Sequence, residues 1–154
     1  MARFSTRSLA LAALCAVTPA FTVLNNPPVE NVATALDGHE ALEEAMHGLV
    51  DGMKALSKSI GDPASNAASL ATLVKMQGHA LAAKELAPTN LDETPEKERD
   101  ALKLAYRADM SRLLQELCAM EIEVCEGEND KAKARVRGKL IPLRNSSHEK
   151  YQPK

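Results

Sequence analysis

The chain has 154 residues, 45 % of them hydrophobic but only 3 % aromatic, and no tryptophan. That supplies one core for one domain, and the lack of sustained β-branched alternation excludes a sheet protein in favour of an all-α one. The net charge of −2 is unevenly spread: residues 131–154 carry 8 basic and 1 acidic side chains, net +7, against −11 over residues 21–130. The basic stretch reads as a helix packed beside acidic neighbours rather than a nucleic-acid arm, with an anionic protein partner as the alternative.

In chain order, residues 1–20 read as an export signal. Arg3 and Arg7 form a charged start, Leu9 to Val17 a short apolar run, and Thr18-Pro19-Ala20 a small-residue cleavage site. The apolar run is shorter than the ~20 residues of a membrane span. Export predicts a protein that leaves the cytoplasm, with no membrane span after cleavage. Residues 21–36 read as a linker containing Asn25-Asn26-Pro27-Pro28, and residues 37–154 as the folded domain.

Asp37-Gly-His-Glu40 has the form of a capping box. The helix after it carries Leu42, Met46, Leu49, Met53, Leu56 and Ile60 at steps of 4, 3, 4, 3 and 4, a bundle seam. Gly61-Asp62-Pro63 ends it. A second helix, from Ser65 or Ala67 to Ala87, repeats Leu73, Met76, Ala80, Ala83 and Ala87. A polar connection follows, and Pro95 suits the first turn of the third helix. The third helix repeats Leu102, Tyr106, Met110, Leu113, Leu117, Met120 and Val124 and ends at Glu126-Gly127. Asn129 or Asp130 caps the fourth, which carries Val136, Leu140, Ile141, Leu143, His148 and Tyr151. Gly138 and Pro142 inside it predict a kink or a break. Four amphipathic helices with short connections indicate an antiparallel, up-down-up-down four-helix bundle.

Cys118 and Cys125 remain after signal cleavage. Seven residues apart on a helix, they are separated by about 10 Å, more than the roughly 7 Å a disulfide spans. They are expected in the core, or with one exposed and linking two chains, so that the protein is a monomer or a disulfide-linked dimer.

Met46 near the start of the first helix and His148 near the end of the last reach the same end of the bundle, each on an apolar seam. Thioether and imidazole across one slot suit haem iron, and that ligand pair raises the reduction potential. By pattern alone, however, a seam methionine reads as core and a terminal histidine as solvated.

Three segments carry a resemblance. Leu42, Glu43, Met46 and Leu49 form L-E-x-x-M-x-x-L. Lys75-Met76, an alanine-rich stretch, Pro88 and Leu91 follow. Leu140, Arg144, Asn145, His148, Lys150 and Tyr151 form L-x-x-x-R-N-x-x-H-x-K-Y. Together they resemble the cytochrome b562 family over about residues 40–151. The resemblance implies one non-covalent haem b per chain, Met46 and His148 as axial ligands, and Arg144 beside a haem propionate. It implies a periplasmic electron carrier, not an enzyme, that meets a redox protein partner. Tyr106 and Met110 stand where relatives pack aromatics on the haem. Arg144 and Ser147 occupy the positions at which C-x-x-C-H would need cysteines, so no covalent link is expected. His39, His47 and His79 read as surface residues. The competing reading is an exported helical bundle that binds a metal or a partner without haem.

Overall fold

The computed structural model describes residues 38–151. The expected signal at 1–20, the linker at 21–36 and the capping residue Asp37 lie outside the described residues. Helix α1 (Gly38–Ser59) buries Leu42, Ala45, Leu49, Met53 and Leu56. This is the expected seam with one change: Ala45 takes the core position, and Met46, one residue on, is half-buried at its flank. Ile60 closes the seam, and Asp62 turns the chain by accepting from the backbone N–H of Ala64.

Helix α2 (Asn66–Lys84) buries Ser69, Leu73, Met76, Ala80 and Ala83. It is three residues shorter than expected, because Ala87 lies beyond its last turn and is exposed. Small residues let α1 and α2 approach closely. A Cβ at Gly52 would lie 2.3 Å from Met76 Cγ, and one at Gly48 2.3 Å from the imidazole of His79.

Helix α3 (Glu96–Cys125) is the longest, with Pro95 one residue before its start rather than in its first turn. Its core face is Tyr106, Met110, Leu117, Met120 and Val124, with the acids Asp109 and Glu123 also buried. Gly127, at φ +77°, takes the left-handed conformation that ends a helix at low steric cost.

The last rod is α4 (Asn129–Arg135), a π turn (Val136–Leu140) and α5 (Ile141–Tyr151). Asn129 does not cap it as expected. Its buried amide instead donates to Ile60 O at 2.8 Å and Asn66 Oδ1 at 2.6 Å, tying the start of this rod to the α1–α2 turn. The irregularity expected from Gly138 and Pro142 takes the form of a π turn. The N–H of Ile141 bonds back five residues to Val136 O, and the helix resumes on either side of Pro142.

The described residues form the all-α, up-down-up-down four-helix bundle that the periodicity indicates. Basic side chains of the last rod meet acids of α3. Arg135 holds the nearly water-free Glu123 through paired bonds of 2.6–3.1 Å and Glu116 through one of 2.7 Å. None of the described helices is long and apolar enough to cross a membrane.

Candidate functional site

The core falls into two clusters. One runs from Leu49 and Met53 through Met76 and Leu117 to Leu140; the other joins Leu42, Ala45, Ala83, Tyr106, Met110 and Tyr151. A cavity of about 610 Å³ lies against both. That is within the range of about 300–1,000 Å³ typical of small-molecule and cofactor sites. Its buried lining is largely apolar and includes Leu42, Leu49, Met53, Met76, Met110 and Leu140, with the rings of Tyr106 and Tyr151. The exposed members of the lining are His39, Glu43 and His47 on α1, Thr89 in the connection between α2 and α3, and Arg144 and His148 on α5, so these form the mouth. The space exists because α1 packs along α2 and meets the last rod at the π turn, whereas α5 stands away from α1 and packs on α3.

All three residues singled out from the sequence border this one cavity: Met46 from α1, and Arg144 and His148 from α5. Met46 is half-buried and packs against both clusters, so its thioether is presented from the wall. His148 is exposed. Arg144 donates to Asn145 Oδ1 at 2.8 and 3.1 Å and makes no ion pair among the described residues, which leaves its charge available to an anion at the mouth.

The π turn sets this arrangement. Val136, Leu140, Arg144 and His148 are spaced by four, and each such step drifts about 40° around an α-helix, so three steps drift about 120°. A straight helix would carry His148 off the inner face. One extra residue in a π turn returns about 100°, which keeps Leu140, Arg144, Ser147, His148 and Tyr151 on the cavity side.

The end of α5 is fixed by side chains that sequence pattern does not reveal. Its last carbonyls, which lack intrahelical donors, accept from Thr89 Oγ1 (to Tyr151 O, 2.7 Å) and Asn90 Nδ2 (to Lys150 O, 3.0 Å). Tyr151 sets its edge on the Tyr106 ring, with centroids 5.1 Å apart, and Tyr106 donates to Ala83 O at 3.1 Å. Beneath them Asp109 accepts from Tyr151 Oη, Lys150 Nζ and Arg112. Burial alone would raise the Asp109 carboxyl, but these three donors outweigh it and hold it below the ordinary aspartate value. Burial first, then proximity to Tyr151, pushes the Tyr106 phenol up to about 12. Tyr151 is raised by burial and by its bond to Asp109. The one sequence signal for this anchor is an aspartate, Asp109, placed beside Met110 at the edge of an apolar seam.

The other expectations divide. His39 and His47 are exposed as expected, though both stand at the cavity mouth, and His79 is half-buried against Gly48. Cys118 and Cys125 are not core residues: both are free and exposed. They lie on the flank of α3 turned away from its buried seam. Among the described residues no group of three His, Cys, Asp or Glu side chains is arranged to hold a metal ion.

An apolar slot with a thioether on its wall, and an imidazole and a guanidinium without an ion-pair partner at its mouth, fits a flat apolar molecule bearing carboxylates. The family model for cytochrome b562 matches residues 41–152, from the start of α1 to the end of α5. The chain belongs to the cytochrome b562 family. No curated protein matches it. Cytochrome b562 proteins bind haem b and carry electrons rather than catalyse a reaction, and their helical bundle is the fold found here.

Proposed function

We propose that this cytochrome b562 family member is a periplasmic electron carrier that binds one haem b non-covalently between Met46 and His148. The observation that carries the reading is the lining of a single cavity. Met46 and His148 border it from α1 and α5, while apolar side chains from all four rods complete it. A bound haem supplies a one-electron ferrous–ferric couple, and Met/His ligation favours the reduced state. Met46 and His148 would together hold the iron of a bound haem, and a centre held by two side chains would suit electron transfer better than substrate binding. Arg144 pairs a propionate at the mouth, where a planar and permanently charged guanidinium suits a carboxylate. The buried Leu, Met and Tyr side chains exclude water from the macrocycle. With Arg144 and Ser147 in place of cysteines, the chain has no thiol beside His148 for a covalent link.

A second reading, a haem-free bundle that binds a soft metal, draws on one observation. Four of the chain's six methionines, Met46, Met53, Met76 and Met110, border the cavity, and thioethers select cuprous copper.

Absorption spectroscopy of the exported protein tests both. The oxidised protein should show a Soret band, and dithionite should sharpen it and split the α and β bands, as in low-spin six-coordinate haem. Met46→Ala and His148→Ala should each lose the low-spin spectrum and weaken haem retention by about 10-fold or more, comparable to the loss of a supporting metal-site contact. Absence of a Soret band after hemin addition, with cuprous ion bound instead, would replace the haem reading by the second.

A further inference from the structure

The large hydrophobic side chains exposed among the described residues are Val74, Leu81, Leu104 and Ile122, all on α2 and α3. The two free thiols are exposed on α3 as well. Two polar links set the register of this pair of helices: Gln77 Nε2 donates to Glu121 at 2.6 Å, and Arg107 donates to both oxygens of Glu85 at 3.0 and 3.1 Å. In that antiparallel register Val74 stands level with Val124 and Cys125. At 100° per residue, Cys118 and Cys125 lie about 20° apart around α3, with Ile122 about 40° from Cys118. The α2–α3 side of an up-down-up-down bundle is opposite its first and last rods, and so opposite the cavity mouth between α1 and α5.

We propose that this face pairs with a second copy of the chain, α3 against α3, about a two-fold axis between Glu121 and Ile122. Two reciprocal disulfides close the pair, each joining Cys118 of one copy to Cys125 of the other. A second copy is the occupant that the thiol spacing fits. In an antiparallel two-fold pairing, seating Cys118 against Cys125 of the other chain seats the second pair at the same time, because the contact is isologous. Within one chain the two sulfurs cannot meet, since seven residues of helix separate them by about 10 Å and a disulfide spans roughly 7 Å. Between two helices packed about 8–10 Å apart, with Cα atoms about 2.3 Å from each axis, facing Cα atoms come within disulfide range.

Ile122 stands between the two thiols at the centre of the contact, and Val74 lies beside Cys125 at each end of it. A patch this narrow falls far short of the roughly 800 Å² per partner of a stable non-covalent interface, so the reduced chain stays monomeric and the oxidised one does not. Once the first link forms, the second is intramolecular and fast.

With glutathione disulfide as oxidant, each link forms by two exchanges. A Cys118 thiolate attacks glutathione disulfide and releases one glutathione thiol. Cys125 of the second copy then attacks the mixed disulfide and releases another. Two protein thiols are oxidised for each glutathione disulfide reduced.

The test is independent of haem. The full chain carrying Cys15→Ser, so that only these two thiols report, is reduced, exchanged into glutathione disulfide and followed by non-reducing electrophoresis and sedimentation. The expected result is a dimer that dithiothreitol reverses. Cleavage after glutamate, which separates the two cysteines, should recover the Cys118 peptide joined to the Cys125 peptide. Cys118→Ser alone and Cys125→Ser alone should each lower the dimer yield at least 10-fold, since the remaining thiols are offset by two helical turns. Mixing the two variants should restore the dimer through one disulfide. A dimer from either single variant alone, or a parent chain that stays monomeric and carries only glutathione adducts, would overturn the proposal.

Discussion

Asp109 accepts from Tyr151, Lys150 and Arg112 with little contact to water, on a surface that otherwise belongs to the core. Its job is positional: it holds Tyr151, the last residue of α5, three residues after His148. Asp109→Ala strands a buried phenol and should cost about 1–3 kcal/mol of unfolding free energy in urea titrations. The pH dependence follows from the direction of the shift. The folded carboxyl titrates below its unfolded value, so its contribution is complete above that unfolded value of about 3.9. As pH falls through the lower folded value the contribution is lost. The stability gap between the parent and Asp109→Asn should therefore be flat from pH 5 to 8 and close below about pH 4. A gap that persists at pH 2 would mean that the charge of Asp109 is not what holds Tyr151.

Among the elements, the π turn has the largest functional consequence. Gly138 and Pro142 signal a disturbance in the sequence, and the three successive four-residue steps from Val136 to His148 signal its kind. A plain α-helix cannot keep those four residues on one face. A π turn amounts to one inserted residue, so removing one residue from it preserves the direction of both flanks. Deleting the exposed Lys139 together with Pro142→Ala should give an uninterrupted α-helix with His148 still at the cavity and the Soret band retained. Deleting Ser146 instead should rotate His148 by about 100° relative to Leu140 and Arg144, abolishing the low-spin spectrum with little change in far-ultraviolet circular dichroism. Loss of haem in the first variant would show that the turn does more than set the phase. The capping of α5 by Thr89 and Asn90 belongs to the same scale: a connection between α2 and α3 holds the end of a helix that it does not adjoin in sequence.

Across the whole molecule, the bundle is well packed where α1, α2 and α3 meet and open where α5 leaves α1. A ligand that fills that opening binds the folded chain and not the unfolded one, so it must stabilise the fold. Hemin at 100 times its dissociation constant should add about 2.7 kcal/mol, read as a rise in the thermal midpoint of the apoprotein that His148→Ala largely removes. The charge pattern also acts at this scale. The basic last rod meets acids of α3 through Arg135 and Lys150, so the positive stretch is in part internally compensated.

The helix count, the up-down topology and the core faces of α1, α2 and α3 were legible in the sequence, because an apolar stripe at 3.6-residue spacing is a local property that the bundle only has to bury. That Met46, Arg144 and His148 come together at one end of the bundle was legible for another reason: their motifs stand in the right order at the two ends of the chain. The assignment of the core position to Ala45 rather than Met46 was not legible, since neighbouring residues on a seam differ by 100° and only the phase in which α1 packs along α2 selects between them. The exposure of Cys118 and Cys125 likewise depends on which flank of α3 its neighbours cover. Asp109 finds donors on its own helix and on one 41 residues away, and no local pattern encodes the second of these. Local periodicity determined the elements by itself; the tertiary structure decided which side chains border the cavity, because that depends on the relative phase and separation of helices far apart in the chain.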